Sequence, residues 1–201
     1  MLTSSEYLEI ERQAPFRSEF FRGEMFAMAG GSARHSRIKT NLLSLLNNRL
    51  KGQPCVTYDN DLRMMCPTGL YTYPDASVIC GDLTFDDDRE DTALNPTVLL
   101  EVLSKSTEAY DRGKKFDHYR TIPTLQEYVL VSQDEPMVQT FFRNEDNTWT
   151  LTTVSGLDQV AELRSIGVGL PLGDVYDRVN FTAEVTESSE GDRRPGPRFP
   201  L

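Results

Sequence analysis

The stretch that decides the fold is Thr97-Val-Leu-Leu-Glu-Val-Leu103, which leads through Ser104-Lys-Ser-Thr107 to Glu127-Tyr-Val-Leu-Val131. Thr97–Leu103 is an almost unbroken apolar run, the pattern of a strand covered on both faces. Residues 107–121 have helical spacing, and Ile122-Pro123 ends them because the residue before a proline is pushed out of the helical region. Glu127–Val131 is a second apolar run. Strand, helix and strand in such a short span make a βαβ unit, which predicts a parallel pair with a right-handed crossover.

Working toward the N-terminus, Asp86-Asp-Asp-Arg-Glu-Asp91 reads as a solvated loop, with an acidic metal site as the alternative. Val56–Ile79 reads as strands. Tyr71–Ile79 is the clearest of them, and Pro74 marks an edge or the strand's first turn. Ile38, Leu42, Leu45, Leu46 and Leu50 form the buried face of a helix over residues 33–51, which Gly30-Gly31-Ser32 opens and Gly52 and Pro54 stop. Two apolar segments around Arg22-Gly23 predict a β-hairpin with Gly23 at positive φ. Thr3-Ser-Ser-Glu6 has the form of a capping box for a helix near residues 4–12.

Toward the C-terminus, Met137–Arg143 and Thr148–Val154 alternate around Asn144-Glu-Asp-Asn147 and predict a second hairpin. Beyond Asn180 the chain is polar and aperiodic, so residues 180–201 are expected to be a disordered tail behind one domain at 1–179. No internal repeat is present. The class is α/β: a mixed β-sheet flanked by helices, with an N-terminal helix and a C-terminal hairpin.

The 201 residues are 38% hydrophobic and 26% charged, ordinary for a globular protein. No apolar run approaches the roughly 18–20 residues that cross a bilayer, so no membrane partner is expected. The opening MLTSSEYLEIERQ carries acids and no apolar core of a secretory signal. Cys55, Cys66 and Cys80 form neither a disulfide framework nor a CxxC site; they read as small buried thiols and place the protein by default in a reducing cytoplasm. The net charge of -10 argues against a nucleic-acid partner, but its distribution weakens the argument. Residues 30–52 hold Arg34, Arg37, Lys39, Arg49 and Lys51 and no acid, while 58–91 hold nine acids against Arg63 and Arg89. A polyanion is therefore admissible, bound weakly and with strong salt dependence. The basic stretch is either a backbone-binding face or a solvated helix surface.

Glu101 is the most informative residue. An ionised carboxylate in a strand buried on both faces costs several kcal/mol unless a cation or strong donors compensate, so either a basic side chain or a metal ion pairs with it. Asp75, after Pro74, is a strand-capping turn residue or, paired with Glu101 from an adjacent strand, a ligand for a hard divalent cation. Asp111, Lys115 and Tyr119 share a helix face. There Lys115 is either a surface partner of Asp111 or points back to the carboxylates and offsets phosphate charge. His35, one turn before Ile38, is a structural or capping histidine or part of the site. GxGxxG, P-loop, GxSxG and HExxH motifs are absent, so nucleotide-cofactor and serine-hydrolase readings lack a motif.

Together, Tyr73-Pro-Asp75, Asn95-Pro96, Glu101-Val-Leu-Ser-Lys-Ser-Thr107, Asp111, Lys115, Tyr119 and Glu127-Tyr128 resemble the Uma2 (DUF820) family of the PD-(D/E)XK nuclease superfamily. The likeness spans roughly residues 3–179 and takes in Glu19, Gly23-Glu24 and His35. It implies a restriction-endonuclease-like core and Mg²⁺- or Mn²⁺-dependent cleavage of phosphodiesters in nucleic acid, DNA foremost. Asp75, Glu101 and the carbonyl of Val102 would hold the metal, and Lys115, Glu19 and His35 would join them as catalytic residues. The superfamily lysine two residues after Glu101 is replaced by Leu103, and Lys115 on the following helix matches the relocated position. The competing readings are a catalytically weak or inactive module that binds nucleic acid or a partner protein, and a hydrolase of another phosphate ester. There is no room for a separate recognition domain, so sequence-specific cutting would call for a partner or a homodimer.

Overall fold

The capping box forms. Thr3 Oγ1 accepts the Glu6 N–H at 3.2 Å and Glu6 Oε2 accepts the Thr3 N–H at 2.8 Å, which starts helix α1 at Ser4–Glu11. The computed structural model describes residues 1–181, so the expected tail lies outside the described residues apart from its first two positions. After α1 come strands β1 (Ser18–Phe21) and β2 (Glu24–Ala27), helix α2 (Ala33–Arg49), and strands β3 (Cys55–Asp59), β4 (Arg63–Met65), β5 (Tyr71–Thr72), β6 (Ala76–Cys80), β7 (Thr92–Ala93) and β8 (Val98–Val102). A helical crossover follows as α3 (Glu108–Tyr110), a π-helical turn (Asp111–Lys115) and α4 (Phe116–Tyr119). Strands β9 (Glu127–Val131), β10 (Met137–Arg143), β11 (Trp149–Ser155), β12 (Val160–Leu163) and β13 (Val168–Pro171) and helix α5 (Leu172–Val175) complete it.

The larger sheet runs β11-β10-β9-β8-β6-β3, and only β8·β9 is parallel, as the βαβ reading requires. A five-stranded sheet, β2-β1-β5-β4-β7, leans on it, and β12-β13 is a separate hairpin. Ile38, Leu42 and Leu46 of α2 cover one face of the larger sheet over Val78, Val98, Leu100 and Val129. Leu99, Tyr128 and Leu130 face the other way, against Tyr119, Ile122, Leu125 and the second sheet's Met64. This two-sided cover is why β8 and β9 read as apolar runs rather than alternations. At the first hairpin Arg22 and Gly23 both take positive φ (49° and 83°), the two-residue turn whose twist matches paired strands.

Five expectations change. Tyr71–Ile79 is not one strand: β5 joins the smaller sheet and β6 the larger, with Pro74 and Asp75 between them. Nor is β6 an edge, since β3 and β8 flank it; proline's missing donor falls in the break and not in the ladder. The crossover helix contains the π turn. Cys55 and Cys80 are joined in a disulfide across the β3·β6 pair with Cα atoms 3.9 Å apart, and only Cys66 is a free, buried thiol. Antiparallel register brings them together, which spacing along the chain does not reveal, and the compartment argument from three thiols lapses with it. Finally, the acidic loop is tied down: Arg12 holds Asp87 (2.6 Å) and Asp91 (2.7 Å), and Tyr71 donates to Asp86. Hairpin β12-β13 and α5 were not anticipated. Among the described residues no helix is long and apolar enough to cross a membrane.

Arg63, 3% exposed, anchors the smaller sheet by donating to Thr92 Oγ1 (2.9 Å), Tyr73 Oη (2.8 Å) and Asp91 Oδ1 (2.9 Å). Truncating one member of such a buried network strands the others. Arg63→Met is expected to lower unfolding free energy by about 3 kcal/mol in urea titration; a change within about 0.5 kcal/mol, the surface-substitution range, would contradict this role.

Candidate active site

The β6·β8 ladder pairs Ala76 with Leu100, so the next step of the register sets Asp75 opposite Glu101. There the ladder gives way to a side chain: Asp75 Oδ2 accepts the Val102 N–H at 2.9 Å. Alternation along β8 sends Val98, Leu100 and Val102 toward α2, and Leu99, Glu101 and Leu103 toward Tyr119. Glu101 is therefore a carboxylate on an apolar face, 5% exposed.

Its compensation comes from the crossover. Glu101 Oε1 accepts the Tyr119 hydroxyl at 2.8 Å and lies 2.8 Å from Lys115 Nζ. The same ammonium is 3.3 Å from Glu19 Oε1 and 3.6 Å from Asp111 Oδ1. Glu19, on β1, also accepts from Thr72. The π turn carries Asp111 and Lys115 at its two ends; such turns recur at functional sites. Leu103, two residues after Glu101, is packed in the core. From the opposite wall, Ser32 caps α2 by accepting the His35 N–H (3.1 Å), and His35 Nε2 lies 3.1 Å from Asp75 Oδ2. Gly31 permits this: a Cβ there would be 2.7 Å from His35 Nδ1.

Glu19, His35, Asp75, Glu101, Val102 and Lys115 thus line one cleft of about 1160 Å³, all six of the residues singled out from sequence. Asp111 and Tyr110 line it too. The basic stretch is divided: Arg34 and Lys39 reach this cleft, but Arg34 is bonded to the Gln133 carbonyl and Asp134, and Arg37 to Asp177. Tyr119 and Asp111 were visible only as a shared helix face with Lys115, and no local signal marked Thr72.

The electrostatics are those of too few cations. Burial pushes the Glu101 carboxyl well above the usual carboxylate range; Lys115 pulls it down, and Asp111 and Asp75 push it further up. Asp111 is raised by burial too, against the pull of Lys115. Burial would also raise Asp75, yet the His35 hydrogen bond and charge hold it below its ordinary value. Burial works against the Lys115 ammonium, but Glu101, Tyr119, Glu19 and Asp111 keep it protonated well beyond the lysine range. Four carboxylates share one ammonium and one imidazole.

That deficit and the donor chemistry suit a hard divalent cation. Asp75 Oδ1 and Glu101 Oε2 accept no hydrogen bond from the described residues, which leaves one carboxylate oxygen on each strand for a ligand. Among the described residues no three His, Cys, Asp or Glu side chains form a ready cage, since Lys115 holds Glu19 and Asp111. Two carboxylates with a carbonyl and waters is the sparse set that Mg²⁺ accepts.

The Uma2 family profile, described as "Putative restriction endonuclease", matches residues 4–173. Two Synechocystis proteins, "Uncharacterized protein slr1290" and "Uncharacterized protein sll1609", are each 38% identical, over 90% and 78% of this chain and 94% and 89% of their own lengths. The fold is shared with a crystal structure titled as a "putative nuclease belonging to DUF820" from Anabaena variabilis: TM-score 0.71 at 19% identity, covering 88% of this chain and 98% of that one. With its profile match running through both strands of the carboxylate pair and the crossover that neutralises it, this chain belongs to the Uma2 family.

Proposed function

We propose that this protein is a Mg²⁺- or Mn²⁺-dependent endonuclease that hydrolyses phosphodiester bonds, with DNA as substrate. The observation that carries the reading is the pair Asp75, just before β6, and Glu101, on β8, opposed where the β6·β8 ladder ends at the floor of one cleft, with Lys115 against Glu101. A divalent cation supplies Lewis acidity at the phosphate and an acidified water. Asp75 and Glu101 would hold it, with the Val102 carbonyl as the further ligand. His35 keeps Asp75 ionised and oriented, Tyr119 orients Glu101, and Lys115 offsets charge that grows on the phosphate. Glu19 holds Lys115 in place from β1.

A second reading has its own support: Lys115 already pairs with Glu101, and no three-acid cage exists among the described residues, which suits a module that binds nucleic acid without cutting it. Low-salt cleavage of supercoiled plasmid, single-stranded DNA and RNA, with Mg²⁺ or Mn²⁺ and with Asp75→Ala in parallel, separates the two. Nicking that the variant lacks is the expected result. A folded wild-type protein that cuts nothing supports the binding module, and wild-type nicking by Asp75→Ala removes the site assignment.

A further inference from the structure

The floor of the main cleft is acidic, and six basic side chains line the cleft around it. Four of them are held by acids. Lys115 is held by Glu101, Glu19 and Asp111, His35 by Asp75, Arg17 by Asp61, and Arg34 by Asp134 and the Gln133 carbonyl. The other two are Lys39 and Lys105. Among the described residues Lys39 Nζ donates only to the neutral Asn60 side chain, at 3.2 Å, and the exposed Lys105 side chain meets no partner at all.

Their positions are complementary. Lys39 follows His35 by one turn of α2, so it lies on the helix face that carries the partner of Asp75. Lys105 follows Glu101 by four residues, in the Ser104–Thr107 loop that leads from β8 into the crossover. One ammonium without a carboxylate thus belongs to the Asp75 side of the cleft and one to the Glu101 side. A phosphate monoester has charge for one of them. A chain of phosphates that crosses the cleft engages both, and presents the phosphate between them to the floor.

We propose that Lys39 and Lys105 grip the phosphates on either side of the one to be cleaved, so that the substrate is a nucleic-acid strand drawn across the cleft and not a mononucleotide; this rests on the endonuclease reading. The net charge of -10 makes such contacts count, because the rest of the molecule repels a polyanion and attraction is left to a few placed cations. Each contact releases counterions from the strand, so each leaves its mark on the salt dependence of binding.

The test is fluorescence anisotropy of a labelled thymidine oligonucleotide with the full chain in EDTA, where nothing is cut, across a series of salt concentrations. Lys39→Gln and Lys105→Gln are each expected to weaken binding by about tenfold and to lower the slope of log Kd against log salt by about 0.7, the value of one phosphate contact on a single strand. Lys51→Gln removes a charge from the same basic stretch but outside the cleft, and is expected to change neither. With Mg²⁺ the two cleft variants should raise KM and leave kcat within about twofold, as loss of binding common to ground and transition states does. A wild type that does not bind the oligonucleotide at low salt, a slope unchanged in either cleft variant, or an equal loss in Lys51→Gln overturns the proposal. A protein whose slope falls in both variants but that cuts nothing keeps the two contacts and loses the endonuclease. One that cuts DNA while both variants bind and cut like the wild type does the reverse.

Discussion

Glu101→Gln is expected to lower Mg²⁺-dependent cleavage of plasmid DNA by at least about 10³-fold while leaving the fold intact, the scale seen when a group that stabilises transition-state charge is lost. Glutamine keeps an oxygen to accept the Tyr119 hydroxyl and to face Lys115, whose charge Glu19 and Asp111 still balance, and it removes a charge that burial makes unfavourable. The thermal midpoint should therefore hold or rise. Glu127→Gln is the control. Glu127 is equally buried one strand away, but it holds the Arg164 and Ser165 N–H groups of the β12–β13 turn, outside the cleft. Its replacement should cost stability and spare cleavage. Undiminished cutting by Glu101→Gln would remove Glu101 from the site.

The second large effect is on stability. Lys115→Met strands Glu101, Glu19 and Asp111 around a missing cation, and breaking a buried ion pair from one side costs about 3–5 kcal/mol. The cost should depend on pH. The ammonium, held above its unfolded value, stabilises the native state throughout the neutral range and is lost only as pH rises through its elevated titration. Glu101 and Asp111 are raised in the native state, so they favour folding when protonated and oppose it as pH climbs past the unfolded carboxylate range. Without Lys115 both rise further, which widens that window. Urea midpoints should show the deficit near pH 8 and most of it gone near pH 5, because Glu101 and Asp111 then carry protons. An equal deficit at both values would mean that the loss is one of packing. Mg²⁺ at neutral pH should restore more stability to the variant than to the wild type, since it supplies charge that the ammonium no longer does.

How far the site was legible depends on how far apart its partners are. Glu101 announced itself because an acid inside an apolar strand is costly wherever the chain goes next. Asp111, Lys115 and Tyr119 announced only their shared helix face: that Lys115 turns inward to Glu101 and Glu19, and not outward beside Asp111 alone, depends on β1 and β8 being there to meet it. Asp75 looked like a strand residue after a proline. It became half of a pair when the β6·β8 register put it opposite Glu101 and its carboxylate on the Val102 N–H.

The sequence by itself determined the local elements: the Thr3 capping box, the Arg22-Gly23 turn, the amphipathic α2 and the apolar β8 and β9, because each is set by dihedral preference or by hydrophobic period within a few residues. Only the tertiary structure decided where the proposed strand Tyr71–Ile79 divides, that Cys55 meets Cys80, and that Lys115 turns in to Glu101 and Glu19. Those outcomes follow from strand register and from which sheet claims each segment, both settled by the burial of the whole core, and no short window of sequence carries that sum.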